Sequence, residues 1–225
     1  MPLSSKARIG IGRLSVRDSD EGQEEPVRKN DTVTPPTSEP KRKSLSEKYR
    51  LAELIISTNG RYLHKVPLNT MVNWIQRVVE IESPVHHDEV AKRIGSAVGV
   101  KKIGNRIRST IQAAATQAAR YKNIEMRGKF LYWAGQGQVP IRDRSQLPNA
   151  SRKLELIAPE EIQAAIKQLV VDAFGIEQDD LAREVCKLFG FKTASANMRQ
   201  HVNRVINWMI KHEHLKEKGG SLLLE

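Results

Sequence analysis

The chain reads as a mainly α fold with small β-hairpins, arranged as tandem winged-helix-like units, and three observations predict it. The first is internal repetition. Displaced by 91 residues, segment 68–134 falls on 159–225 without a gap. Ile75 then meets Ile166, Val79 meets Val170, Asp88 meets Asp179, Gly99 meets Gly190, Arg108 meets Arg199 and Gly128 meets Gly219. Val90/Leu181, Ile94/Val185 and Ile111/Val202 are conservative matches. Positions apolar in both copies are packing positions, and positions free to differ are surface. The second observation is order: helix, extended bridge, helix, longer helix, hairpin, twice over, which is the order of a winged helix. The third is the stripe on each long helix. Ile103, Ile107, Ile111, Ala114 and Ala118 recur at three- and four-residue steps, and Ala194, Met198, Val202, Val205 and Met209 match them.

Residues 1–43 are rich in Ser, Thr, Pro, Gly and charge and include TVTPPTSEPKRK. They hold too little apolar surface to offset ordering entropy, so they predict a disordered tail, with Lys41-Arg42-Lys43 a solvated flank. Segment 44–66 predicts a helix and an extended lead-in. Ser44 with Glu47 three residues on has capping-box spacing at the head of SLSEKYRLAELI, and GRYLHKVPL follows. The first unit, 67–134, predicts helices at 71–80, 88–96 and 101–119 and a hairpin at Arg127-Gly128. Its bridge ends at Pro84-Val85, and Gly99 closes the second helix at a C′-like position. Segment 135–158 predicts a linker partly packed on one unit, with Val139-Pro140-Ile141 a candidate strand. The second unit, 159–225, predicts helices at 160–172, 179–188 and 194–211 and a hairpin at Gly219-Gly220. Pro159 sits near N1, with Glu160 and Glu161 in the first turn, where they suit the helix dipole.

Charge narrows the partners. The 225 residues carry a net +11 with a pI near 9.8, a balance that suits a polyanion. The first unit has 11 Lys+Arg against 5 Asp+Glu, a balance of +6; the second has 9 against 10, a balance of −1. Only the first looks made for phosphate. One cysteine, Cys186, leaves no partner for an intrachain disulfide and fits a small buried residue in a reducing compartment. No apolar run approaches the roughly 18 residues of a membrane span, and the first residues lack a secretory core. These features predict a cytoplasmic protein with no membrane partner.

The candidate site residues lie opposite the apolar stripe of the first long helix. At about 100° per residue, Lys101, Asn105, Arg108, Ser109 and Gln112 share one face, flanked by Lys102 and Arg106. Arg and Lys suit guanine or phosphate, Asn and Gln suit adenine, and Ser suits phosphate. Arg127 and Lys129 sit at the hairpin tip, where a wing reaches the backbone. The second copy offers Lys192, Arg199, Gln200 and Asn203, but Glu177, Asp179, Asp180 and Glu184 precede them and repel phosphate.

Other motifs carry less. Gly99-Val-Lys-Lys-Ile-Gly104 lacks the Lys-Ser/Thr of a P-loop and reads as the turn of a helix-turn-helix. His86-His87-Asp88-Glu89 looks metal-like, but neighbouring side chains diverge and the copy, Glu177-Gln178-Asp179-Asp180, has no His, so a helix start accounts for it better. His212, His214 and Cys186 lack ligand spacing. Trp74, Trp133 and Trp208 fall on or beside packing stripes and read as core. No nucleophile or carboxylate constellation stands out, so neither catalytic residues nor a cofactor is expected.

Three stretches carry a family resemblance: EIESPVHHDEVAKRIGSAVGVKKIGNRIRSTI, FLYWAGQGQVPIRDRS and IAPEEIQAAIKQLVVDAFGIEQDDLAREVCKLFGF. The chain resembles there, over about 67–225, the C-terminal domain of unknown function of large bacterial superfamily I helicase-like proteins, which often also carry a restriction-endonuclease-like domain. The marks are Glu82-Ser83-Pro84-Val85-His86, then Val139, Pro140, Arg142 and Asp143, then Pro-Glu-Glu-Ile at 159–162. The resemblance implies an accessory role near a DNA motor. The family's motor and nuclease motifs have no counterpart here, so no catalytic residue transfers. A free-standing homologue, a split gene product and a fragment all fit. The leading expectation is a non-enzymatic module binding nucleic acid, duplex DNA foremost. The alternatives are a scaffold contacting a helicase or nuclease subunit, and a stand-alone winged-helix transcription regulator.

Overall fold

Six helices and a set of short strands make up the regular structure of residues 45–225, the part of the chain that the computed structural model describes. The tail over 1–43 and the Ser44 cap lie outside the described residues. The fold is mainly α with small β elements, as the stripes require. A two-residue strand β1 (Glu47–Lys48) comes first, followed by α1 (Leu68–Glu82), β2 (Val85–His86), α2 (His87–Ala97) and α3 (Asn105–Tyr121). A hairpin of β3 (Ile124–Arg127) and β4 (Phe130–Trp133) closes the first half. β2 joins it in a three-stranded antiparallel sheet of order β2-β4-β3, with Val85 opposite Leu131. The connecting segment forms β5 (Arg142–Asp143). The second half is α4 (Pro159–Ala173), α5 (Gln178–Leu188), α6 (Ala196–Lys211) and a hairpin of β6 (Leu215–Lys218) and β7 (Ser221–Leu224).

The two halves share their element bounds at the 91-residue shift. α1 and α4, α2 and α5, β3 and β6, and β4 and β7 coincide residue for residue in the numbering. The Val85–Leu131 pairing returns as an isolated bridge between Ile176 and Leu222. The repeat is also longer than its sequence match. A 3-10 turn at Leu63–Lys65 precedes α1 and another at Leu154–Leu156 precedes α4, with Leu63, Leu154, Val66 and Ile157 all buried.

Each half has its own core. Ile75, Val79, Val90, Ala91, Ile94, Ile111 and Leu131 are buried in the first, and their mates Ile166, Val170, Leu181, Ala182, Val185, Val202 and Leu222 are buried in the second. Volume is exchanged between helices. The first core joins Trp74 to Ala115 and Ala118, whereas the second joins Ala165 to Ile206 and Met209. Native packing density tolerates such swaps only when a gain on one element is matched by a loss on another.

Four expectations are corrected. The helix expected over SLSEKYRLAELI is absent; Glu47 and Lys48 instead pair in parallel with Arg142 and Asp143, and residues 49–58 take no regular structure. The strand of the connecting segment is thus 142–143 and not Val139-Pro140-Ile141. α3 begins at Asn105, leaving Lys101 and Lys102 in the turn before it, because Gly104 takes an extended conformation. Trp208 is not core but 44% exposed, while Trp74 is buried and Trp133 half-buried.

Polar groups join the halves. Glu82 at the end of α1 is fully buried; its carboxylate accepts from the Tyr49 hydroxyl (2.9 Å), the Ala52 amide (2.8 Å) and Arg93 Nε (2.8 Å). Arg142 reaches from β5 into both halves. Its guanidinium donates to the carbonyls of Glu82 (2.7 Å) and Pro84 (2.8 Å) and to Glu161 Oε2 (2.7 Å). Arg144 adds two bonds to Glu161, at 2.7 and 2.8 Å. Both guanidiniums lie over the Tyr49 ring. Among the described residues no helix is long and apolar enough to cross a membrane.

Candidate nucleic-acid interface

α3 is positioned by its inner stripe. Ile111, Ala114, Ala115 and Ala118 are buried, with Ile103 and Ile107 half-buried ahead of them. The opposite face turns outward. Asn105, Arg106, Arg108, Ser109 and Gln112 are exposed on α3, and Lys101 and Lys102 are exposed in the turn leading into it. Lys129 is exposed at the tip of the β3–β4 hairpin. Eight of the nine expected residues of the first half therefore form an outward cationic and amide surface, with one arginine restrained. Arg108 Nε donates to Asp88 Oδ1 (3.1 Å) and its Nη1 to Asn105 Oδ1 (3.3 Å). Partial burial alone would push the Asp88 carboxyl up, but the Arg108 hydrogen bond and the neighbouring histidines hold it below its usual range.

That ion pair is duplicated. In the second half Arg199 lies 3.5 Å from Asp179, the mates of Arg108 and Asp88. Each pair ties the second helix of a half to its third, so Arg108 has a role in the fold as well as an exposed position. Arg127, the ninth residue, is exposed as well, but its guanidinium is engaged within the protein. It turns back to Glu125 (2.6 Å), lies over the Tyr132 ring at 4.5 Å and stands 3.6 Å from Glu160 of α4. The Tyr132 hydroxyl also bonds Glu160. The ribbon of the first half is therefore fastened to the start of the second.

The second half spends its matching face differently. Lys192 and Gln200 are exposed, but Arg199 is half-buried and donates to the Ala194 carbonyl (2.9 Å). Asn203 is half-buried, with its Oδ1 enclosed and without a hydrogen-bond partner. Leu222 is buried; Leu223 and Leu224 are half-buried.

His86, His87 and Asp88 bring potential ligand atoms within 4.8 Å of one another. The histidine side chains do not diverge as expected: their rings stack at 4.5 Å. The helix-start reading has a direct counterpart, because His86 Nδ1 accepts from the Asp88 amide (3.1 Å) and caps α2. Burial, aided by His87, pushes the His86 imidazole down to about 4, so it stays a neutral acceptor at neutral pH. Cys186 is buried in the second core, and burial pushes its thiol up to about 11, far from nucleophile chemistry.

Sequence reasoning missed the joint and one cleft. Arg142 stood in a quoted motif without a role and Glu161 was assigned only to the helix dipole, and nothing local to them signals a partner nineteen positions away. The cleft lies between α4 and α6 beside Trp208, a residue whose spacing matches the core stripe.

Residues 61–109 match the model of a family described as a protein of unknown function, DUF3320. The match runs from the turn before α1 into the first part of α3. No curated protein and no solved structure matches the chain.

Proposed function

We propose that this chain is a non-catalytic nucleic-acid-binding module with duplex DNA as its partner, built from two winged-helix-like units. The observation that carries the reading is the outward face of α3. Asn105, Arg106, Ser109 and Gln112 are exposed on a helix held by its opposite stripe, with Lys101 and Lys102 at its start and Lys129 on the adjacent ribbon. A helix about 10–12 Å across with its side chains fits the major groove, where Arg and Asn read base edges and Lys neutralises phosphate. The second unit braces the first through the Arg142–Glu161 joint. The resemblance to helicase-associated domains supports a place beside a DNA-processing motor.

The test is duplex affinity as a function of salt. Lys102→Ala/Arg106→Ala is the informative variant, since Arg108 also links α2 to α3. Each phosphate left without its cation makes the log–log slope shallower by about 1. Identical slopes and affinities in wild type and variant would dismiss the reading.

A second reading has its own observation. Phe174 stands 92% exposed at the end of α4, next to the half-exposed Val171, on the near-neutral unit. A scaffold contacting a helicase or nuclease subunit there predicts that such a subunit is retained after nuclease treatment and lost in Phe174→Ser.

A further inference from the structure

A cleft of about 540 Å³ opens between the first turn of α4 and one flank of α6. Glu160, Gln163, His201, Arg204, Val205 and Trp208 line it. The α6 residues recur at three- and four-residue steps, so they share one flank, distinct from the Gln200 and Asn203 side. Trp208 is the notable member. One side of its indole is covered by His212, stacked at 4.1 Å, and His212 Nδ1 is itself 2.7 Å from the Trp208 carbonyl. The ring is thus held in place while 44% of the residue faces solvent.

The other half supplies an internal control. Gln117 is the mate of Trp208 and Asn69 the mate of Glu160; Gln117 Nε2 donates to Asn69 Oδ1 at 2.8 Å. The mates of His201 and Arg204 are Thr110 and Ala113. A side-chain bond therefore spans that place in the first half, and none of those four mates is aromatic or cationic, though Arg120 and Tyr121 match Lys211 and His212 beyond it. In the second half Glu160 is drawn off to Tyr132 and Arg127, so its charge is matched outside the cleft. What faces the cleft is an anchored indole, the Arg204 guanidinium and His201. Burial, with Arg204 beside it, holds the His201 imidazole below its ordinary range; Arg204 lies 3.2 Å from its Nδ1. Lys211, one turn beyond Trp208, is exposed.

We infer that this cleft is a second nucleic-acid site that takes an unpaired base, stacked on Trp208, with its phosphate near Arg204 and Lys211. Aromatic plates beside cations are how proteins hold single strands without reading their order, and the volume suits a nucleotide-sized occupant. A nucleobase also answers the mixed lining better than an apolar peptide would, since Gln163, His201 and Arg204 are polar and the one lining carboxylate, Glu160, is matched by Arg127. The site is separate from the α3 face and does not depend on it.

Binding of a short fluorescently labelled oligo(dT), with affinity read by anisotropy of the label and base stacking by quenching of tryptophan emission, tests the inference. Trp208 supplies the response, because Trp74 is buried and Trp133 half-buried. Trp208→Leu is expected to weaken oligo(dT) binding roughly tenfold and remove the quench, with Trp208→Phe within about threefold of wild type. Arg204→Gln is expected to weaken binding severalfold while keeping the quench. Oligo(rU) is expected within about threefold of oligo(dT), since the plate touches bases and not sugars. Lys102→Ala/Arg106→Ala is expected to keep the oligo(dT) quench, which reports the indole alone and so separates this site from the duplex face. Circular dichroism shows whether each variant keeps the wild-type fold, and Arg204→Gln, at an exposed position, carries the test should Trp208→Leu not. Equal affinity for oligo(dT) in wild type, Trp208→Leu and Arg204→Gln overturns the inference. So does an indole that answers an apolar peptide but not an oligonucleotide.

Discussion

Removing the charge of Glu161 strips two buried guanidiniums of their counterion. Arg142 and Arg144 are each under 5% exposed, and both meet its carboxylate within 2.8 Å. Breaking a buried pair from one side costs about 3–5 kcal/mol, because the surviving charge has no water to return to. Glu161→Gln is expected to lower stability by that order, read from denaturant midpoints at unchanged slope. Its pH dependence follows from the same contacts. Burial alone would raise the Glu161 carboxyl, but Arg144 and Arg142 outweigh burial and hold it below the usual range. A folded-state value below the unfolded one contributes stability above the unfolded value, about 4.3 for Glu, and that contribution is lost as pH falls through the folded value. Wild type should therefore lose part of its stability below about pH 4, and Glu161→Gln should lack that acid limb. The sequence could not announce this role. A Glu in the first turn of a helix is adequately explained by the helix dipole, and only the chain's return through β5 brings arginines to it.

At the scale of elements, Gly99 and Gly190 make a paired experiment. Both end the second helix of their half with positive φ, 74° and 85°, where an L side chain is strained. A Cβ on Gly99 would meet nothing within 4 Å, whereas one on Gly190 would run into the Asp143 carboxylate, with Ser145 N at 2.5 Å and its Cα at 2.9 Å. Gly99→Ala should cost about 1–2 kcal/mol, the left-handed penalty alone. Gly190→Ala should cost clearly more and displace the segment after β5, both measurable by thermal melting with exchange of the Arg144 amide, which bonds the Phe189 carbonyl. Helices bearing an apolar stripe were legible to within a few residues, because stripe and cap are local. The lead-in was not. Ser44 with Glu47 has the spacing of a helix start, but Glu47 N bonds the Ile141 carbonyl at 2.9 Å and Tyr49 N that of Asp143 at 3.0 Å, a pairing nearly a hundred residues away. Trp208 misled for a related reason: stripe spacing places a residue near the core boundary, and which side it takes depends on the helix opposite.

For the whole molecule, Arg142 is the bridge, since it bonds the carbonyls of Glu82 and Pro84 on one side and Glu161 on the other. Arg142→Met keeps most of the stem's packing and removes the bridge. The wild-type chain is expected to unfold in one transition, and the variant in two, one for each core, when followed by calorimetry alongside near-ultraviolet circular dichroism. The duplication was plain in the sequence because it is written in apolar residues that recur. The joint was hidden because it does not recur: 91 positions away, Arg142 becomes Leu51 and Glu161 becomes Thr70. A lock whose key has no copy can be turned only once. Solenoid arrays lengthen by restating one interface. This interface cannot be restated, since Leu51 and Thr70 stand where a second guanidinium and carboxylate would be needed, and the tandem therefore has a direction.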